Sequence, residues 1–208
     1  MDNLVIEFMH SLCVRFGTFL TPFMRLISIL GEKCWLFLLI AFYLILRKKT
    51  RWIGLSALFS ILFGFVLGDI ILKPIFRRER PYTTSNTLQD YWALAGAYPE
   101  TDYSMPSGHS LGTAAFFVSL YITSAKRNRK FIKTLGIIVT VLMVMSRCYF
   151  MHHYFTDCLV GLLIGTVMAY VTKAIVRVIF NLCKKHEDIG LFNFILNFDI
   201  MDIFKRFD

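Results

Sequence analysis

Charge is scarce in this chain. Asp, Glu, Lys and Arg make up 18% of its 208 residues, against about 25% in ordinary soluble domains. Proline is scarce too, at five residues, and no Pro/Ser-rich linker or repeat interrupts the sequence. Disorder, a collagenous repeat and a coiled coil are excluded on composition. The cysteines are few: Cys13, Cys34, Cys148, Cys158 and Cys183 are odd in number and lack Cys-x-x-Cys spacing. They read as small buried apolar side chains, not as a disulfide framework or a zinc site. A basic start is also missing. The first residues carry Asp2 and Glu7 and no Lys or Arg, so no cleavable signal peptide is expected.

What is abundant is apolar. Hydrophobic residues reach 56%, with 21 Phe, more than a small soluble core absorbs. The reading is an all-α integral membrane helical bundle of about six transmembrane helices in one domain, residues 1–208. Five segments supply the roughly 20 apolar residues a span needs, or come close: 31–46, 52–72, 107–125, 131–149 and 157–180. Residues 11–30 form a weaker first span. They hold Arg15, Pro22 and Arg25, so this segment can cross, bend or lie at the interface. Residues 191–207 mix Phe, Ile and Leu with charges and suit an interfacial amphipathic helix.

The net charge of +9 is concentrated. Arg47, Lys48, Lys49 and Arg51 form one cluster; Lys126, Arg127, Arg129, Lys130 and Lys133 form another. Both are expected on the cytoplasmic side. They account for the basicity without nucleic-acid binding. The loop 82–105 faces the other side and has Asp90, Glu100 and Asp102 but no Lys or Arg.

That topology puts several ionisable residues where they are costly. Lys73, Arg77, Arg78 and Arg80 fall at the outer end of one span, His109 at the outer start of the next, Arg147 at another outer end, and His152, His153 and Asp157 just beyond. Outer cations run against the positive-inside tendency, and an anionic ligand would offset them. Lys73 and Arg80 are seven apart, about two helical turns on one face, and Pro81 then stops the helix. Pro106-Ser107-Gly108-His109 reads as a helix start whose free N–H groups can cradle an anion. His153 and Asp157 are four apart, close enough for a carboxylate to orient an imidazole. This set suits a phosphate monoester or diphosphate.

Lys73-x6-Arg80-Pro81, Pro106-Ser107-Gly108-His109 and Ser146-Arg147-x5-His153-x3-Asp157 together resemble the three-part signature of the type 2 phosphatidic acid phosphatase family. That family includes vanadium haloperoxidases and glucose-6-phosphatase. All three parts are present, in order, with every motif position filled. At roughly 5% usage per residue type, the three would coincide by chance in about one chain in a million.

The resemblance implies a phosphohistidine mechanism. His153 attacks phosphorus, Asp157 holds its imidazole, and His109 protonates the leaving oxygen and then activates water. Lys73, Arg80 and Arg147 hold the equatorial oxygens, with Ser107 and the Gly108 backbone N–H adding hydrogen bonds. No metal or cofactor is required, because fixed cations supply the positive field. His152 is a near-miss beside the nucleophile. Asp69 reads as a structural ion-pair partner of Lys73. The bilayer and a membrane lipid phosphate are the expected partners; oligomeric state is not legible.

The family resemblance points first to undecaprenyl diphosphate or phosphatidylglycerol phosphate, hydrolysed at the extracytoplasmic face of a bacterial plasma membrane. A phosphatase of a soluble sugar phosphate, a lipid phosphotransferase and a lipid-binding protein with an inactive site remain alternatives.

Overall fold

The apolar runs form helices from end to end. The protein is described by a computed structural model covering residues 1–204, and these contain helices and turns but no strand. The order is α1 Asp2–Gly31, α2 Trp35–Leu46, α3 Arg51–Phe65, α4 Lys73–Phe76, α5 Pro81–Thr84, α6 Asn86–Leu94, α7 Gly108–Thr123, α8 Lys126–Tyr149, α9 Phe155–Lys185, α10 Gly190–Asn197 and α11 Ile200–Phe204. A π-helical turn, Val66–Leu72, joins α3 to α4. Among the described residues, four stretches are long and apolar enough to cross a membrane: Asp2–Leu46, Arg51–Thr84, Lys126–Tyr149 and Phe155–Lys185. α7 is shorter, about 24 Å at the usual rise. Its residues Leu111 to Phe116 are all buried, so the other helices surround it.

Residues 11–30 fall within α1, whose contacts lie mainly with one end of the bundle. Asp2 accepts from the Thr156 N–H, Thr21 pairs with the Tyr149 hydroxyl, Arg25 donates to the Gly96 carbonyl, and Arg147 donates to Ser28. All these partners lie at the end of the bundle where α8 stops and α9 starts. Thr21, Arg25 and Ser28 of this segment therefore all make their polar contacts at that end. Lys33 and Cys34, both in left-handed conformation, break the helix. α2 then runs to the opposite end, with Phe37 stacked on Phe116 and Ala41 against Gly54.

At that opposite end lie both basic clusters and the tail. Arg51 donates to the Ile195 carbonyl at 2.5 Å and to Phe198, and Asp199 accepts from Arg47. The expected helix over 191–207 is two short ones, and residues 205–207 lie outside the described residues. All five cysteines are buried and free.

α7 and α9 are pressed together at Gly161 and Gly165. A Cβ at Gly165 would lie 2.2 Å from the Leu111 carbonyl oxygen, and one at Gly161 2.5 Å from that of Ser107. Small residues let helix backbones approach inside a membrane, where packing replaces the hydrophobic drive. Gly165→Ala should cost about 1–3 kcal/mol by forcing the helices apart, read as a lower unfolding midpoint in detergent. An unchanged midpoint would contradict this contact.

Candidate active site

Three chain segments meet at the α8–α9 end. The first leaves α4, where Arg77 adopts a left-handed conformation with φ 47°. Lys73 and Arg80 therefore do not share a helical face, as their spacing suggested. The helix ends at Phe76, and the chain turns to bring Arg80 back beside Lys73. Both side chains are buried. The second segment is the start of α7. Ser107 is its N-cap, accepting from the Ser110 N–H, and the Ser107 N–H donates to the Asp157 carbonyl at 3.1 Å. A Cβ at Gly108 would lie 3.2 Å from Asp69 Oδ2. The Asp69 carboxylate thus sits at the α7 N-terminus, and it also pairs with Lys73 at 2.5 Å.

The third segment is the tight turn 150–154. Met151 is left-handed at φ 55°, and the amides of His152 and His153 both donate to the Arg147 carbonyl. Arg147 and His153 are thereby fixed as one unit. Arg147 is buried, its guanidinium 3.5 Å from Glu100 and 3.5 Å from His152 Nδ1.

His153 is the centre. Its Nδ1–H donates to the Ser104 carbonyl at 2.6 Å, and Nε2 faces the Arg80 guanidinium at 3.3 Å. The Nδ1 hydrogen bond expected for Asp157 therefore goes to Ser104, and Asp157 Oδ2 stands 3.9 Å away. α9 begins at Phe155, so His153 precedes the helix and the four-residue spacing does not lay it over Asp157. Asp157 instead accepts from the Tyr154 N–H at 2.9 Å and from Arg78 at 2.6 Å. Arg78 also reaches Asp2 and Thr156 and covers the Tyr154 ring. Asp157 positions the turn that carries His153.

Burial first, then Arg80, Arg147, Lys73 and His109, push the His153 pKa well below the usual range. The imidazole is neutral at pH 7, with its proton on Nδ1 and the lone pair on Nε2. His109 is close enough to contribute to that field. Its own Nε2 is buried and has no hydrogen-bond partner, which leaves it free for an atom of a ligand. His152 turns the other way, with Nε2 on the Tyr98 carbonyl at 2.8 Å and Nδ1 3.2 Å from Glu100; burial outweighs Glu100 and lowers its pKa to about 4.

A model of the PAP2 superfamily matches residues 49–180. The chain belongs to the PAP2 superfamily. It is 34% identical over 132 residues to an undecaprenyl-diphosphatase of Sulfolobus acidocaldarius, covering 64% of this chain and 59% of that one. It is 29% identical to a lipid A 4'-phosphatase of Porphyromonas gingivalis, covering 73% and 64%. It is also 29% identical to a phosphatidylglycerophosphatase B of Bacillus subtilis, covering 61% and 59%. The matches thus span under two thirds of each relative's length. The fold resembles the crystal structure of a transmembrane PAP2-type phosphatidylglycerolphosphate phosphatase from Bacillus subtilis, with TM-score 0.65, 22% identity, and 84% and 83% of the two chains covered.

The PAP2 motif residues Lys73, Arg80, Ser107, Gly108, His109, Arg147, His153 and Asp157 all come to this one end. The motifs do not reveal Ser104, which orients His153 through its main chain, or Arg78, which holds Asp157. They also omit Glu100 and Asp102, which meet the cations. The only hint of these two was their place in an acidic, cation-free loop ahead of Pro106.

The two low histidine pKa values set a direction for stability. Between about 4 and 6.5 the unfolded chain binds protons at position 152 that the folded chain does not, so stability falls as pH drops through that window. The unfolding midpoint should decline below pH 6.5, and His152→Gln should reduce the decline. A midpoint flat from pH 7 to 4.5 would contradict the neutral assignment.

Proposed function

We propose that this protein is a membrane phosphatase that hydrolyses a lipid phosphate or diphosphate through a phosphohistidine on His153. The carrying observation is a buried His153 imidazole whose Nδ1–H is fixed by Ser104 and whose Nε2 faces Arg80, itself joined to Lys73 through Asp102 and to Arg147 through Glu100. His153 Nε2 attacks phosphorus as the bond to the leaving oxygen breaks. That oxygen takes a proton from His109. Water then attacks the phosphohistidine, giving its proton back to His109 and releasing phosphate. The three cations hold the equatorial oxygens, where transition-state charge spreads. The Ser107 N-cap and the Gly108 N–H complete the cradle.

Two observations favour a lipid as the carrier of the phosphate. The site lies at the end of an apolar bundle. A groove of about 360 Å³ lies between α1, α2, α7 and α8, lined by Ile27, Leu30, Phe37, Phe116 and, on the side nearest the site, Met143. Met143 packs on Gly31, whose Cβ direction also meets the His109 ring. A lipid tail lying there would bring its headgroup to His109. Undecaprenyl diphosphate is the first choice and phosphatidylglycerol phosphate the second, in keeping with the names of the relatives. The basic clusters lie at the opposite end, which favours an extracytoplasmic site.

The test is phosphate release by the purified protein from undecaprenyl diphosphate, phosphatidylglycerol phosphate, phosphatidate and glucose 6-phosphate. The lipids should be hydrolysed, and His153→Ala should lower the rate by about 10³-fold or more. EDTA should leave the rate unchanged. Activity surviving in His153→Ala, or a chelator loss restored by Mg²⁺, would contradict the scheme.

A further inference from the structure

The phosphate-binding cations are already occupied by carboxylates. Asp102 bridges two of them, with one oxygen on Lys73 and the other 2.5 Å from Arg80. Glu100 bridges Arg80 at 2.6 Å and Arg147 at 3.5 Å. A phosphoryl group held by the same three residues would need those donors. The two arrangements exclude each other.

The main chain carrying these carboxylates is held by hydrogen bonds that do not use the carboxylate oxygens. The Asp102 carbonyl accepts from Arg80 Nε at 2.9 Å. The Tyr82 hydroxyl donates to the Glu100 carbonyl and accepts from the Glu100 N–H. His152 holds the Tyr98 carbonyl, and Arg25 holds that of Gly96. Either carboxylate can therefore turn away while its backbone stays in place. Asp102 is ready to do so: its side chain is 52% exposed, whereas those of Lys73 and Arg80 are 8% and 2% exposed.

We propose that Asp102, aided by Glu100, is a displaceable stand-in for the substrate phosphoryl group and sets which phosphates the site admits. This rests on the reading of the site as a phosphatase. A carboxylate carries one negative charge. A phosphodiester headgroup also carries one and gains little by replacing it. A terminal phosphate carries close to two near neutral pH and offers three oxygens to the three cations. Membranes are rich in phosphodiester lipids, so the stand-in keeps the site from filling with them. It also helps inorganic phosphate leave, because the carboxylate returns to the cations as the product departs.

The test is equilibrium binding of inorganic phosphate to the full chain in detergent, which requires no turnover. Asp102→Asn should tighten phosphate binding about tenfold, as expected if the carboxylate-occupied form holds roughly nine-tenths of the ligand-free population. Asp102→Glu should stay near the wild-type value. Phosphatidylglycerol added to the micelles should compete with phosphate in Asp102→Asn and not in wild type. Unchanged or weaker phosphate binding in Asp102→Asn would overturn the proposal even if the wild type hydrolyses lipids. Tighter binding without hydrolysis by the wild type would instead count against the phosphatase reading. Independently of any variant, a structure of the wild type with inorganic phosphate should show Lys73 and Arg80 on phosphate oxygens and Asp102 turned to water. Phosphate seated at His153 with Asp102 still on Lys73 would also overturn it.

Discussion

Lys73, Arg80 and Arg147 are three like charges buried at one end of an apolar bundle and linked through two shared carboxylates, Asp102 and Glu100. Burying cations is costly unless each is paired and hydrogen-bonded. Much of the surrounding structure supplies those partners. The π-helical turn carries Asp69, which meets both Lys73 and the start of α7. The segment before Pro106 delivers Glu100 and Asp102. Burial, and then the neighbouring cations, keep His153 neutral.

Placement of the imidazole depends on a chain of close backbone contacts. Gly161 and Gly165 let α9 approach α7. That approach brings the Ser107 N–H onto the Asp157 carbonyl, fixing the two helix starts relative to each other. Asp157 caps Tyr154, and Arg78 ties it to Asp2 at the far N-terminus. The turn between α8 and α9 is thus held from three directions. His153 inherits a fixed position, and its lone pair is directed at Arg80 and the space beside it.

Much of this was legible in the sequence. The apolar runs marked the helices, and the three motifs named residues that do converge. What escaped depended on where helices begin and end. Lys73 and Arg80 looked like neighbours on one helix, but the left-handed Arg77 ends it. They meet because the chain folds back. His153 and Asp157 looked like a helical pair, but the helix starts between them. Ser104 acts through its carbonyl, which side-chain identity does not reveal. Hydropathy left residues 11–30 open, and only the structure shows their polar contacts with Gly96, Arg147 and Tyr149 at the site end. Glu100 and Asp102 carried no motif, and their role appears only once the cations are in place.

The central claim is that this cluster holds one phosphoryl group while His153 Nε2 takes it. The most direct measurement is rapid acid-free quenching of the protein during turnover with ³²P-labelled lipid phosphate, followed by peptide mapping. The account predicts label that is stable in base and labile in acid, confined to the peptide containing His153. Turnover without a covalent phosphoenzyme, or label on any other residue, would contradict it.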